Sequence, residues 1–294
     1  MQDRAISGRY APGSTFKMVS ATAGIVNGDI NVNNSIYCAG GLRLGHRGEW
    51  KKCWAYHGYV NFSRAMAQSC DSYFYDLMTR LSSTQLAAMA RRFGFGSRSG
   101  VDLPSEKRGF IPTPAWKASH KRLGRWYLGD SCNMAIGQGF MQVTPLQLAL
   151  ATAATANGGI WLRPHIVDEV KTDRGVVVRR IPTVVNGVVG APAALATVRA
   201  GMRAAVLPGG TAGIVRFRNL DVAAKTGSAQ ADRDKPTHAW FVCFAPYEHP
   251  QIAICVLVEH GGHGGVAAGP VARAILKAYF GLKGEGAAAS DRTD

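Results

Sequence analysis

Apolar residues recur at helical spacing directly after Pro12-Gly13-Ser14. Phe16, Val19, Ala23 and Val26 share a face, and Asn27-Gly28 breaks the run. The pattern predicts a helix of about four turns that starts at Ser14. Residues 31–60 carry Gly, Asn, Cys, His and Trp without a period and read as loops. Asn61 caps a second predicted helix, Tyr73 to Leu81 continues helical, and residues 84–94 form a third helix stopped by Phe93-Gly94-Phe95-Gly96. Residues 97–130 read as irregular. Thr144-Pro145 opens a long Ala/Leu helix that closes at Asn157-Gly158-Gly159.

The pattern then changes period. Pro164 to Val170 and Gly175 to Arg180 predict a hairpin. Pro192 starts a helix that Pro208-Gly209-Gly210 stops. Leu220 to Gln230, His238 to Ala245 and Gln251 to His260 read as strands, the last two joined through Pro246 to Pro250. Pro270 to Tyr279 closes the chain as a helix, and a polar tail follows. The expected class is α/β in the α+β sense: an all-helical lobe, then an antiparallel sheet flanked by helices.

Composition narrows the function classes. The 294 residues are 47% hydrophobic and 18% charged, a globular balance that excludes a disordered or collagen-like chain. No apolar run of about 18 residues occurs, and no leader-like segment opens the chain. Lys plus Arg number 34 against 19 Asp plus Glu, a net charge of +15 that suits an anionic partner. Neither a basic helix interleaved with aromatics nor zinc-finger spacing points to nucleic acid, and no nucleic-acid partner is expected. Six cysteines are too few for a disulfide scaffold at this length.

The chemistry begins at Ser14-Thr15-Phe16-Lys17. Three residues apart on a helix, Ser14 and Lys17 share a face. An amine there takes the serine proton once burial and other cations favour its neutral form. The Ser14 amide, at the helix start, can face a developing oxyanion. The plain alternative is a capping serine and a surface lysine. Lys225-Thr226-Gly227-Ser228 lies on a predicted strand whose alternation puts Lys225 and Gly227 on one face. A lysine there supplies charge for a substrate carboxylate, and a glycine lets a peptide lie close. Two Ser-x-polar segments compete for a third element: Ser69-Cys70-Asp71 and Ser131-Cys132-Asn133.

Together these pieces form the set carried by penicillin-binding proteins and serine β-lactamases. The chain resembles the transpeptidase domain of class B penicillin-binding proteins, of the elongation-type penicillin-binding protein 2 group, nearly end to end. Arg4 to Tyr10 followed by Pro12 to Lys17 is similar to that group's nucleophile segment. Ser69-Cys70-Asp71 followed by Tyr73-Phe74-Tyr75 resembles its second motif. Ile136-Gly137-Gln138-Gly139 with Val143 to Gln147 resembles its Gly-Gln-Gly segment, and Lys225 to Gln230 with His238 to Phe241 completes the match. Ser131-Cys132-Asn133 falls just before the Gly-Gln-Gly segment and is read as a decoy.

The resemblance implies a serine β-lactamase/D,D-peptidase-like fold over residues 1–284, shortened at its N-terminus, with 285–294 as a disordered tail. It implies acyl transfer from D-alanyl-D-alanine stem peptides, with β-lactams as acylating inhibitors. Ser14 is then the nucleophile, Lys17 its base and Ser69 a proton relay. Lys225 is the cation of the site, and Asp71 stands where Asn is commoner. The amides of Ser14 and Ser228 form the oxyanion hole, and Thr226, Gly227 and Ser228 hold substrate. The resemblance further implies a periplasmic site on the inner membrane through an anchor this chain lacks. Glycosyltransferase and elongation-complex partners would be met mainly through other regions. A serine β-lactamase or a non-catalytic β-lactam sensor on the same fold is the alternative.

Cys38, Cys53, His57 and Cys70 fall between the first two motifs. Three thiolates and an imidazole suit a closed tetrahedral zinc, and some members of the group carry a metal here. The rival readings are a Cys38–Cys53 disulfide and unlinked thiols. No cofactor is required for the chemistry itself. Cys132, Cys243 and Cys255 are expected as buried thiols. His238 is a candidate to line the site, whereas His260 and His263 only flank a glycine loop.

Overall fold

The computed structural model describes residues 3–45, 48–231 and 234–282. The tail expected to be disordered lies outside the described residues.

An antiparallel three-stranded sheet organises the second half. His238–Ala245 is its central strand, flanked by Ala223–Ala229 and Ile252–Val258. Ala239 faces Ser228 and Phe241 faces Thr226 on one side, while Val242 faces Cys255 on the other. The central strand is buried on both faces, so its side chains alternate between two cores. Trp240, Val242 and Phe244 point into the larger core shared with the helices. Ala239, Phe241, Cys243 and Ala245 point into a smaller one under the C-terminal helix Gly269–Phe280. Complete burial of Trp240, Phe241 and Phe244 contributes on the order of 2–3 kcal/mol each. This double burial explains why the strand reads as a continuous apolar run.

The first half is mainly helical. Its central element is Lys17–Val26, whose first eight residues are all buried. The helix Ser83–Arg92 has a capping box in which Ser82 and Gln85 bond reciprocally. Thr144 and Gln147 do the same for Pro145–Ala156, with Pro145 in the first turn. The helical lobe also carries two short ribbons inside the stretch expected as loops: Ile36–Cys38 paired with Gly58–Val60, and Gly41–Arg43 paired with Trp50–Lys52. The expected hairpin forms as Glu169–Lys171 against Val177–Arg180.

Other stretches also differ from expectation. Residues 97–130 are not irregular throughout: Pro114–Ser119 is a helix and Leu128–Ala135 another. The helix expected to run from Tyr73 to Leu81 is instead Asp71–Leu77, ending in turns before Ser82 restarts the chain. The Ser14 helix opens with a 3-10 turn, Gly13–Phe16, and becomes α-helical only at Lys17, with Pro12 as an N-cap that makes no side-chain bond. Ser14 is therefore not a capping serine, and its hydroxyl is not committed to the helix start. Among the described residues no helix is long and apolar enough to cross a membrane.

Candidate active site

The turn carrying Ser14 is pressed onto the strand Ala223–Ala229 by glycines. Gly13 sits at φ +56°, and a Cβ there would lie 2.7 Å from the Ser228 carbonyl oxygen. A Cβ on Gly227 would come within 3.0 Å of the Thr15 methyl and 3.2 Å of the Pro12 oxygen. Gly137, at φ +69°, backs the turn from the other side, where a Cβ would be 2.3 Å from the Gly13 oxygen. The Gly13 backbone amide donates to the Gly137 carbonyl at 2.9 Å, and the Gln138 side-chain Nε2 donates to the Ser228 carbonyl at 3.3 Å. Trp240 ties in the approach segment by donating its indole N–H to Ala11 at 2.9 Å.

A cleft of about 350 Å³ opens over this contact. Ser14, Ser69, Asp71, Thr226, Gly227 and Ser228 line it. Under its floor lie two lysines with no solvent exposure, Lys17 and Lys225. Lys17 Nζ donates to the Ser69 carbonyl at 2.7 Å, to Ser69 Oγ at 3.2 Å and to Asp71 Oδ1 at 2.6 Å. Lys225 Nζ donates to Ser69 Oγ at 2.8 Å and to the Thr226 carbonyl at 3.1 Å. The hydroxyl of Ser69 thus accepts from both amines, which leaves its own hydrogen free to face the cleft.

Ser69 holds this place at φ +57°, left-handed backbone that a non-glycine residue rarely adopts. Such conformations persist where the surroundings over-determine them. Here the carbonyl of Ser69 is fixed by Lys17 and by the Trp54 indole N–H at 3.2 Å. Burial first, then the Lys17 ammonium, pushes Lys225 well below the usual lysine range, against the pull of the Asp71 carboxylate. Thr226 Oγ1 bonds Thr211 Oγ1 at 2.8 Å.

Ser131-Cys132-Asn133 lies elsewhere. Ser131 is buried inside the helix Leu128–Ala135 and accepts the Trp126 indole N–H at 2.8 Å. Asn133 accepts from Lys51 at 3.4 Å.

Trp54, Thr211 and His263 also line the cleft, and none was marked by the motifs. Trp54 sits inside Cys53-x-x-x-His57, which was the one signal available for it. His238, considered as a lining residue, instead borders a second cavity near Tyr10 and His260. Its ring stands edge-on to Tyr10.

Cys38, Cys53, His57 and Cys70 converge beside the cleft, with their ligand atoms all within 4.8 Å of one another. All six cysteines of the chain are free thiols, Cys38 and Cys53 included. Tetrahedral zinc bonded at about 2.3 Å to sulfur and about 2.05 Å to nitrogen would set S and N roughly 3.5 Å apart. Cys38 Sγ and Cys53 Sγ each lie 3.5 Å from His57 Nδ1. The donor set and spacing therefore fit zinc. The cluster touches the second motif directly: the Asp71 amide donates to Cys53 Sγ at 3.2 Å, and the Ser72 hydroxyl is 3.2 Å from Cys38 Sγ. The remaining His57 nitrogen, Nε2, is buried without a partner among the described residues. Away from the cluster, Cys132 and Cys243 are buried as expected, whereas Cys255 is only half-buried; burial raises the Cys132 thiol to about 12 and lifts Cys243 as well.

Comparison with known proteins places this arrangement. The chain is 37% identical over 286 residues to the peptidoglycan D,D-transpeptidase MrdA of Acinetobacter baumannii, covering 91% of this chain and 42% of that protein. The structure of Pseudomonas aeruginosa PBP2 in complex with WCK 5153 superimposes with a TM-score of 0.83 at 34% identity, covering 100% of this chain and 66% of that one. The complex of penicillin-binding protein PBP2 with MreC from Helicobacter pylori gives 0.82 at 31% identity, over 95% of this chain and 51% of that one. The chain thus spans about half the length of these relatives. Residues 1–277 match the penicillin binding protein transpeptidase domain, and with the fold, the glycine-packed serine turn and the paired lysines all in agreement, the chain belongs to that family.

Proposed function

We propose that this chain is the catalytic unit of a peptidoglycan D,D-transpeptidase that works in cell elongation. The observation that carries the proposal is the convergence of Lys17 and Lys225 on Ser69 Oγ, at 3.2 and 2.8 Å, beneath a cleft that Ser14 also lines.

In this reading Ser14 Oγ attacks the carbonyl of the penultimate D-alanine and its proton passes to Lys17 Nζ, which enters this step as the neutral amine and leaves it as the ammonium that pairs with Asp71. The oxyanion is held by the amides of Ser14 and Ser228, and losing one such donor costs about 100- to 1,000-fold in rate. The C–N bond breaks and the departing amine takes its proton through the Ser69 hydroxyl. An acceptor amine then attacks the Ser14 ester and re-forms an amide, returning the proton to Ser14. Lys225 and Thr226 face the terminal carboxylate, Gly227 lets the peptide lie against the strand, and Ser228 takes part in holding it. Asp71 balances the buried charge. A β-lactam enters as a mimic of the D-alanyl-D-alanine end and stops at the acyl-enzyme.

Zinc at Cys38, Cys53, His57 and Cys70 is part of the proposal. Those four residues would hold the ion without leaving a position for a reactive water, so it would supply structure only. Cys70 joins Ser69 to Asp71, and the Cys53 sulfur accepts the Asp71 amide, so the loop between the two motif residues would be held in place. The protein is proposed to act on the periplasmic side of the inner membrane with elongation-complex partners, in line with the MreC complex of the Helicobacter relative.

Hydrolysis of β-lactams is the weaker reading. Among the described residues lining the cleft the only carboxylate is Asp71, and Lys17 already occupies it, so no carboxylate is free to activate a deacylating water. The test supplies a D-alanyl-D-alanine peptide with and without an acceptor amine and follows D-alanine release and new amide. Amide formation at the expense of hydrolysis supports the proposal. Catalytic turnover of nitrocefin without peptide transfer would overturn it.

A further inference from the structure

Three of the four cluster residues have an exposed aromatic as their chain neighbour: Tyr37 beside Cys38, Trp54 beside Cys53 and Tyr56 beside His57. In the ribbon of Ile36–Cys38 with Gly58–Val60, Tyr37 lies opposite Tyr59. Alternation turns both tyrosines outward while Cys38 and Val60 turn inward. The inward groups anchor the segment and the outward rings are displayed, between 58% and 85% exposed. A group of large rings left in water marks a contact surface.

The helix Phe62–Ala67 joins these rings to the cleft. The Tyr37 and Tyr59 rings stand 5.1 Å apart. Exposed Arg64 donates from Nη1 to the Tyr59 carbonyl at 3.1 Å and from Nε to Gln68 Oε1 at 3.0 Å. The Gln68 carbonyl accepts the Trp54 indole N–H at 3.2 Å, a donor shared with the Ser69 carbonyl. Trp54 itself lines the cleft. The path therefore runs unbroken from Ser69 over Trp54, Gln68 and Arg64 to the tyrosine pair. Along it ring faces alternate with hydrogen-bonding groups, and Arg64 spends two of its five N–H donors on these contacts. A protein partner calls for a continuous apolar centre with a polar rim. A polysaccharide calls for alternation instead, because each sugar has an apolar C–H face and a rim of hydroxyl and acetamide groups.

We propose that this strip binds the glycan backbone of the acceptor strand, a polymer of N-acetylated amino sugars. The inference rests on the proposed function, in which the departing amine takes its proton through Ser69. The attacking amine comes to the place the departing one has left, so it too enters beside Ser69, next to Trp54. The stem that carries it leads out over Trp54. Its sugars then lie on Tyr59 and Tyr37, with the Arg64 guanidinium donating to their acetamide oxygens. Trp, Tyr and Arg are the side chains that most often anchor a bound partner.

Titration calorimetry of the purified protein with chitotetraose, an N-acetylglucosamine oligomer, reads the contact without any reaction. The double variant Tyr37→Ala, Tyr59→Ala should weaken binding at least about 10-fold, two ring contacts being lost, whereas Tyr59→Phe, which keeps the ring, should bind as the wild type does. In transfer from one fixed D-alanyl-D-alanine donor, an acceptor peptide carried on a muramyl glycan should have a kcat/KM at least about 10-fold above the same peptide without sugar, mostly through KM. The double variant should bring the two acceptors level. A wild type that takes up no chitotetraose at millimolar concentration, or a double variant that binds it equally well, would overturn the proposal. So would an equal gain when the sugars are placed on the donor. Self-association of the wild type that the double variant lacks, with no glycan binding, would assign the strip to a second copy of the chain and overturn it as well. Failure of benzylpenicillin to acylate the wild type would instead defeat the transpeptidase reading, while chitotetraose binding still reports on the strip.

Discussion

Replacement of Asp71 separates an electrostatic role from a packing one. Its carboxylate lies 2.6 Å from the Lys17 ammonium, with side-chain exposures of 15% and 0%. Removing one partner of a buried pair leaves the other charge uncompensated and costs about 3–5 kcal/mol. Asp71 is slightly exposed, so water recovers part of that, and Asp71→Ala should cost about 3 kcal/mol. Asp71→Asn keeps an acceptor for Lys17 but not the compensating charge and should cost about 2 kcal/mol, less than alanine by about one neutral hydrogen bond. At roughly 2–4 °C per kcal/mol for a large domain, alanine should lower Tm by on the order of 10 °C and asparagine by about 6 °C. Denaturant unfolding with an unchanged m-value checks the magnitudes. The double variant Lys17→Met, Asp71→Leu removes both charges and should be far closer to wild type than Asp71→Ala alone, because a packed apolar pair replaces a buried ion pair at little cost. A shift within about 0.5 kcal/mol for Asp71→Ala, the usual range of a plain surface substitution, would refute the charge-balancing role.

Other outcomes follow from the same geometry. Protein prepared without chelator should hold one zinc per chain, and Cys53→Ser or His57→Ala should remove it and lower Tm, as metal analysis beside thermal unfolding would show; a metal-free wild type with the three cluster thiols free, or variants with an unchanged Tm, would contradict this. Gly137→Ala should destabilise by about 2 kcal/mol or more, from left-handed strain and the clash with Gly13, and slow acylation by about 100-fold through displacement of Ser14, read by stopped-flow penicillin binding. Lys225 sits below the usual lysine range because of burial first and Lys17 second, so rising pH removes its charge earlier than for an exposed lysine. KM for a carboxylate-bearing donor should therefore climb on the alkaline side, and Lys225→Arg should move that limb upward. Between the folded and unfolded values the unfolded chain binds the extra proton, so this group's contribution to stability increases with pH across that window.

Much of the fold could be read from the chain because its strongest elements are locally consistent. The strand His238–Ala245 is an uninterrupted apolar run, and Thr144-Pro145 with Gln147 is a complete helix start. The helix Leu128–Ala135 was hidden by Gly129, Asp130, Cys132 and Asn133, all weak helix formers; tertiary packing of Cys132 and Met134 stabilises it instead. The two ribbons at residues 36–60 were hidden by their length, since three-residue strands carry no period. In the site, motif spacing marked Ser14, Lys17, Ser69, Asp71 and Lys225. Composition alone left Ser69-Cys70-Asp71 and Ser131-Cys132-Asn133 as rivals, the family resemblance made the second a decoy, and in the structure Ser131 is turned inward against Trp126. Trp54, Thr211 and His263 reach the cleft from three distant segments, and no local pattern encodes such a meeting. The joint fit of His57 Nδ1 between two sulfurs is likewise a three-dimensional fact, although the residue types were legible.

The central claim is that Ser14 is the nucleophile of a penicillin-acylated site. Intact-protein mass after incubation with benzylpenicillin tests it most directly. The wild type should gain the mass of one penicillin per chain on the peptide containing Ser14, and Ser14→Ala should gain none while remaining folded. Stoichiometric acylation of the Ser14→Ala protein, or a wild-type adduct on any other residue, would contradict it.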